Sequence, residues 1–546
     1  LEAHPRGAHR EEAKARLEAL RFERAQAAPG PWALETFLER HPEGAHAGEA
    51  RRLLAARYRA EALARGDVKA LEAWLARFPD AAGAAEVRAA LADKAVRAAM
   101  AAPTYAEIQR LLERIPPGEA HAAATLRARA FEVEAWVLDG RPAEARRRIE
   151  ETGSPQARAV LEAAYTRARL TWDTLRLDAD GLSALAGVEG PLGREAAARL
   201  DALRRLRPGA RERLRALSEP ATGLAPAVVE AGLASTDLRR RWVAVRALGY
   251  AARSTAIAPL REALTDRDRW LRFEAVRALR RLGESLPPRV RDVAFTRALA
   301  RVRARSAGAV LATVEGALLE AAGRRAEARA RYEAAAMDAP EQAVVARLRL
   351  AEMARDPRQK RIWVNGVLEW IEGDVAGRIE AIDASPDSGP LDGAGLRALA
   401  AREALLAEAV RIASAAERAL GERSSFLEGA RALLARLRRV RRDGEARARA
   451  LDPTYVAASV DEGAAGREWA ERRQLEAVRL LTSGVPPPLR EVLAEAARRS
   501  PFEAVRAAAG GGRGTTGVAG SSGEGTAPAG GREVRAGEAA PGRGSP

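Results

Sequence analysis

The chain of 546 residues carries 91 Lys and Arg against 75 Asp and Glu, a formal net charge of +16, with 47 % hydrophobic residues, only 4 % aromatic residues and no Cys. The lack of Cys excludes disulfides, thiolate catalysis and Cys-ligated metals, and no run of 18 apolar residues free of charge exists to form a membrane-spanning helix. Ala, Leu, Arg and Glu dominate and are all strong helix formers, so the composition predicts an all-α protein.

The positive excess favours anionic partners, whether nucleic acid, acidic protein or an anionic membrane surface. Against this, Glu and Arg are interleaved in the manner of solvated helix faces. The weight of Ala, Arg and Gly points to a high-GC bacterial coding bias.

In the first 150 residues Pro returns at a fixed interval. The turns Leu1-Glu-Ala-His-Pro5, Leu38-Glu-Arg-His-Pro42, Leu75-Ala-Arg-Phe-Pro79 and Leu112-Glu-Arg-Ile-Pro116 place successive prolines 37 residues apart. A fixed period of this size marks stacked supersecondary units. Each unit fits an Ala-rich helix, such as Ala47 to Glu61, and a shorter one, such as Val68 to Phe78, that ends before the Pro. Phe37, Trp74 and Leu111 keep the same place in each turn, and the period decays near Pro155.

These units, over residues 1 to 166, resemble the tetratricopeptide-like hairpins of bacterial envelope proteins, including outer-membrane assembly lipoproteins. Leu1 falls in the middle of a repeat, so a fragment or processed product is expected, in the cell envelope or the cytoplasm. Residues 167 to 219 read as a helical connector.

A second repeat occupies residues 220 to 300. Asp237-Leu-Arg-Arg-Arg-Trp242-Val-Ala-Val-Arg-Ala-Leu248 is echoed 31 residues later by Asp268-Arg-Trp-Leu-Arg-Phe273-Glu-Ala-Val-Arg-Ala-Leu279. Asp268 is placed to cap a helix, and Phe273, Val276 and Leu279 form one apolar face. The pattern resembles the HEAT-like repeats grouped with phycobilin lyases, a repeat used widely as a scaffold. In residues 301 to 356, Gly316, Gly323, Ala328, Tyr332, Ala335 and Pro340 resemble a single tetratricopeptide unit.

Arg361 to Ile371, with β-type residues around Asn365-Gly366, predicts a small β-hairpin inserted at residues 357 to 385. Apolar stripes at Leu405 to Leu420 and Phe426 to Leu437 begin a C-terminal helical bundle over residues 386 to 509. Residues 510 to 546, rich in Gly, Ala and Pro, predict a disordered tail. The expected fold is therefore an all-α solenoid of tetratricopeptide-like and HEAT-like hairpins closed by a helical bundle.

The chemistry is sparse. All five His lie in the first 121 residues, and four of them are repeat echoes, His4 with His41 and His9 with His46. Consecutive hairpins would separate these rather than gather them around one ion. No nucleophile elbow, phosphate-binding loop or calcium loop is present, so no catalytic residue, cofactor or metal centre is predicted.

Basic clusters are the remaining signal. One series runs through the HEAT-like units as Arg239, Arg240, Arg241 and Arg246, then Arg269, Arg272 and Arg277. Others are Arg436 to Arg449 and Arg204 to Arg213. If the HEAT-like series shared one face it could follow a phosphate backbone, as in the HEAT-like DNA glycosylases. Otherwise the arginine stems cover apolar surface. Trp242 and Trp270 are expected in the inter-repeat core. The function read from the sequence is a non-enzymatic scaffold or adaptor for protein partners, with nucleic-acid binding through the Arg-rich HEAT-like face as the alternative.

Overall fold

The computed structural model describes residues 9–303, 309–337, 340–384, 393–453 and 463–510; these form 26 α-helices and no strand. The Leu1-to-Pro5 turn and the chain from residue 511 onward lie outside the described residues.

The first nine helices alternate in length: α1 (Arg10–Ala27), α2 (Trp32–Arg40), α3 (Ala47–Arg65), α4 (Val68–Arg77), α5 (Ala84–Ala101), α6 (Tyr105–Leu112), α7 (Glu119–Leu138), α8 (Pro142–Glu150) and α9 (Pro155–Arg176). Local chemistry sets their ends. Asp67 Oδ1 accepts from the Ala70 amide at 2.7 Å to open α4, and Thr104 Oγ1 accepts from the Glu107 amide at 3.3 Å to open α6. Pro142 sits at the first position of α8, where a missing N–H loses nothing. Leu34, Leu71, Ile108 and Ala145, successive by 37, are fully buried. They fill small separate cores, one around Phe22, Leu34, Phe37 and Leu54 and the next around Leu71, Trp74 and Val87.

Helices α10 (Ala179–Ala186), α11 (Pro191–Arg205) and α12 (Pro208–Arg215) follow, and then the repeat with aromatic–arginine signatures. It comprises α13 (Pro226–Ala234), α14 (Leu238–Leu248), α15 (Ile257–Ala263), α16 (Arg269–Ser285) and α17 (Pro288–Arg303). Asp268 Oδ1 caps α16 by accepting from the Leu271 amide at 3.0 Å. Val276, Leu279 and Leu282 are buried at the heart of one large core that runs from Tyr105 to Leu437.

This core is shared because the first stack docks on the second. The Asp292 carboxylate of α17 accepts from the Tyr105 and Ala106 amides, capping α6 from another module. Asp139, at the end of α7, accepts from the Ser254 amide at 2.8 Å and from the Ser254 hydroxyl at 2.6 Å, while its carbonyl takes Arg253 at 2.5 Å. Tyr105 donates to Glu132 at 2.5 Å, and Arg297 pairs with the same carboxylate at 2.8 Å.

Beyond α17 the chain continues as α18 (Ala309–Ala321), α19 (Arg325–Ala336), α20 (Pro340–Met353), α21 (Pro357–Ala384), α22 (Gly393–Leu420) and α23 (Ser425–Leu451). Tyr332 is fully buried against Gly316, where a Cβ would lie 2.8 Å from its ring, so α18 and α19 approach closely only because residue 316 has no side chain. The predicted β-hairpin at 357 to 385 is not formed: Arg361 to Ile371 belongs to the single 28-residue helix α21. Val364, Val367, Leu368, Ile371, Val375 and Ile379 recur at helical spacing and are all buried, and this packing outweighs the strand preference of the β-branched residues. Ser424 takes the N-cap position of α23, but it is its amide that is used, donating to Glu417 Oε1 at 2.7 Å.

The last helices are α24 (Ala464–Ser483), α25 (Pro487–Arg498) and α26 (Glu503–Gly510). The chain turns between α25 and α26 at Ser500-Pro501. These helices pack back on α9 to α12, where Leu200, Leu203 and Leu214 meet Val478, Leu481, Leu489 and Leu493. Buried Gln474 ties the join by donating to the Ala216 carbonyl at 3.1 Å and accepting from Ser500 Oγ at 2.7 Å. Gly223, at φ +72, presses on α24, where a Cβ would lie 2.2 Å from the Gly463 carbonyl oxygen. The chain thus returns to its own middle.

Candidate functional site: a junction cleft and the arginine clusters

The HEAT-like arginines do not present one free face. Trp242 and Trp270 are buried and stack on each other at 4.8 Å and 14°, which makes them core. Arg246 lies over the Trp242 ring at 5.1 Å, Arg269 over Trp370 of α21 at 4.5 Å, and Arg277 over Phe273 at 5.6 Å. Arg241 pairs with Asp266 at 3.6 Å, linking the two units. Arg272 is half-buried, its Nε has no hydrogen-bond partner, and burial together with the charge of Arg269 lowers its pKa. Arg240 is exposed. The Arg239 side chain lies outside the described residues. Three of the seven, Arg246, Arg269 and Arg277, thus cover aromatic rings with flat guanidinium groups in the cation–π manner.

The other clusters are more open. Arg436, Arg438, Arg439, Arg442, Arg447 and Arg449 are exposed along α23, although Arg438 pairs with Glu403 at 3.0 Å. Arg204, Arg205, Arg207 and Arg213 are exposed at the α11–α12 turn. The described histidines stay apart, each with local contacts. His46 stacks on Phe22 at 4.9 Å, His41 meets Arg21 at 3.2 Å, and His121 lies 3.0 Å from the Ile115 carbonyl. Among the described residues no three His, Asp or Glu side chains gather in a way that could hold a metal ion, and no helix is long and apolar enough to cross a membrane.

A cavity of about 910 Å³ lies where the modules meet. Its walls come from α6, α9, α11, α17 and α25, with the Pro287-Pro288 turn and the α18–α19 turn closing the sides. Seven arginines line it against three carboxylates. Two of those carboxylates are already engaged. Asp292 caps α6, and Glu495 takes Arg498 at 2.7 Å and Arg499 at 2.8 Å. Burial would raise the Glu495 pKa, but the two guanidiniums outweigh it and hold the carboxyl below its ordinary range. The Arg499 and Arg199 guanidiniums are also held below their ordinary pKa, because burial disfavours their charged forms.

Arg110, on α6, is exposed into the cleft and carries no ion pair among the described residues. Apolar wall is supplied by Leu138, Leu175, Pro287 and Val492. A surface of this kind, partly apolar and short of negative charge, suits an acidic ligand that also has hydrophobic side chains. The sequence contained no sign of it, because its walls are separated by almost the whole chain. The Pro287-Pro288 pair was the one local irregularity at its edge.

Comparison with known proteins bears on one segment. Residues 226–312 match the HEAT repeat family, over α13 to α17. Neither the curated proteins nor the solved structures include a match to the chain. This segment is thus similar to HEAT repeats, helical hairpins that generally serve as protein-interaction scaffolds, within an all-α solenoid.

Proposed function

We propose that this protein is a non-enzymatic scaffold that holds a partner protein by an acidic, extended segment seated in the junction cleft. The observation that carries the reading is a cavity of about 910 Å³ with apolar walls and seven lining arginines, of which Arg110 and Arg291 carry no ion pair among the described residues while Arg199, Arg289 and Arg324 pair with Glu195, Glu134 and Glu327. Stacked hairpins present side chains at regular intervals to an extended peptide, and here the chain's return to its own middle gathers α6, α9, α11, α17 and α25 around one groove. The hairpins of 37-residue period are assigned, by resemblance, to the tetratricopeptide-like class of bacterial proteins.

The test is fluorescence anisotropy of a labelled peptide of alternating Glu and Leu, titrated with the full chain. Saturable binding is expected, weakened about tenfold or more by Arg110→Glu combined with Arg498→Glu, since loss of charge complementarity at a docking surface costs on this scale. Binding that is absent, or unchanged in the double variant, contradicts the reading.

Nucleic-acid binding is the second reading, and the exposed arginines along α23 favour it more than the HEAT-like series does. Duplex DNA should then bind with steep salt dependence and be lost on changing Arg439, Arg442 and Arg447 to Glu.

A further inference from the structure

A separate pocket of about 670 Å³ opens between α16, α19, α20, α21 and α22 and shares no residue with the junction cleft. At its base Arg349 is buried, 3 % exposed, and held by Glu320, whose Oε2 accepts from Arg349 Nε at 3.2 Å and from the Tyr332 hydroxyl at 3.1 Å. Arg349 also pairs with Glu352. The two carboxylates that line the pocket are therefore both committed to the same guanidinium.

Above them lie Arg280, Arg325, Arg329, Arg355, Lys360 and Arg411. Arg329 is neutralised by Glu333 at 2.8 Å and Arg411 by Glu408 at 2.6 Å. Arg325, Arg355 and Lys360 carry no ion pair among the described residues. Arg280 reaches Glu284 only at 3.7 Å, and its buried Nε has no hydrogen-bond partner. Burial, and then the charge of Arg349, hold the Arg280 guanidinium below its ordinary pKa, a crowding that an incoming anion would relieve. Arg325 and Lys360 stand in the first turns of α19 and α21, so two helix N-termini add their positive ends to the same space.

From Arg325, Arg355 and Lys360, which carry no ion pair among the described residues, and Arg280, held only at 3.7 Å by Glu284, gathered around a base whose carboxylates are already used, we infer that this pocket binds a small molecule carrying at least two phosphoryl groups. Planar guanidinium forks match phosphate oxygens two at a time, and a phosphoryl group offers three acceptor oxygens and up to two negative charges where a carboxylate offers two oxygens and one. Met353, Ile412 and Ala415 supply apolar wall for an organic portion. This inference stands independently of the junction cleft.

Calorimetric titration of the full chain with pyrophosphate and with tripolyphosphate tests it, at about 0.15 M salt, where charges more than about 8 Å apart are screened. One saturable site is expected. It should weaken about tenfold or more in the triple variant Arg325→Ala, Arg355→Ala, Lys360→Ala, whose side chains support no ion pair and whose melting curve should match the parent. Arg280→Met should do the same, and Arg204→Ala with Arg205→Ala, at a distant basic turn, should change nothing. No saturable binding, or equal loss in the distant variant, overturns the inference. Binding of a doubly phosphorylated peptide without binding of the free anions would place the phosphoryl groups on a partner protein and overturn the small-molecule assignment.

Discussion

The first stack and the HEAT-like centre solve the same packing problem in opposite ways. Helices α1 to α5 are served by small local cores, each built by residues less than one repeat or so apart, such as Leu71, Trp74 and Val87. The centre is one continuous core into which α6, α7, α16, α18 and α22 all place side chains. A stack with nearest-neighbour contacts has stability close to a sum of local terms, whereas a shared core fails as a unit. The regular part of the chain is thus the part expected to yield locally, and the junction cleft draws α6 and α17 from the part that does not.

The sharpest way to break this contrast is a pair of core truncations. Phe295→Ala, in the shared core, should cost about 3–5 kcal/mol and lower amide protection across α6 to α18 together. Leu71→Ala, equally buried, should cost about 2–5 kcal/mol but open only the helices next to α4 in native-state hydrogen exchange. If both variants lose protection over the same helices, the distinction between the regions falls.

A smaller effect concerns the junction. Asp139→Ala removes the acceptor for the buried Ser254 amide and hydroxyl and should cost about 1–3 kcal/mol. Burial raises the Asp139 pKa above its ordinary 3.8, despite the hydrogen bonds from Ser254 and the charge of Arg253 that act to lower it. A folded-state pKa above the unfolded value means that the native chain binds the proton more tightly. This group's contribution is then greatest below 3.8 and declines as pH rises through the folded value. Urea melts of the parent and Asp139→Asn should therefore converge or cross with rising pH in that window.

The smallest effect has the opposite sign and lies in the first stack. Glu35 on α2 accepts from Arg77 on α4 at 2.7 Å and from the Tyr58 hydroxyl at 2.9 Å. The Arg77 hydrogen bond, followed by that from Tyr58, holds its pKa below 4.5. Its contribution is present above the unfolded value and is lost as pH falls through the folded one. Because the pair is partly exposed, Glu35→Gln should cost under about 1 kcal/mol at neutral pH and nothing in acid. Mild acid should thus loosen the stack before it loosens the junction.

Much of the fold was legible in the sequence because it is written in local periods. The 37-residue step put Phe37 and Trp74 in equivalent buried places, with Leu111 half-buried in the third, the echo of Asp268 marked a real cap, and Trp242 with Trp270 gave the inter-repeat core. The stretch around Asn365-Gly366 misled because a turn pair and β-branched neighbours outweighed a stripe of six apolar positions at helical spacing, whose burial only the tertiary structure supplies. The arginine clusters were visible as composition, but which of them face rings and which face solvent depends on partners far along the chain, as with Arg269 over Trp370. The junction cleft was hidden for the same reason. Its closure rests on contacts such as Gln474 with the Ala216 carbonyl, 258 residues apart.

Hydrogen exchange of the full chain with and without the Glu–Leu peptide tests the central claim most directly. Occupation of the junction cleft predicts added protection in α6, at the start of α17 and at the end of α25, with α23 unchanged. Protection confined to α23, or none at saturating peptide, would contradict it.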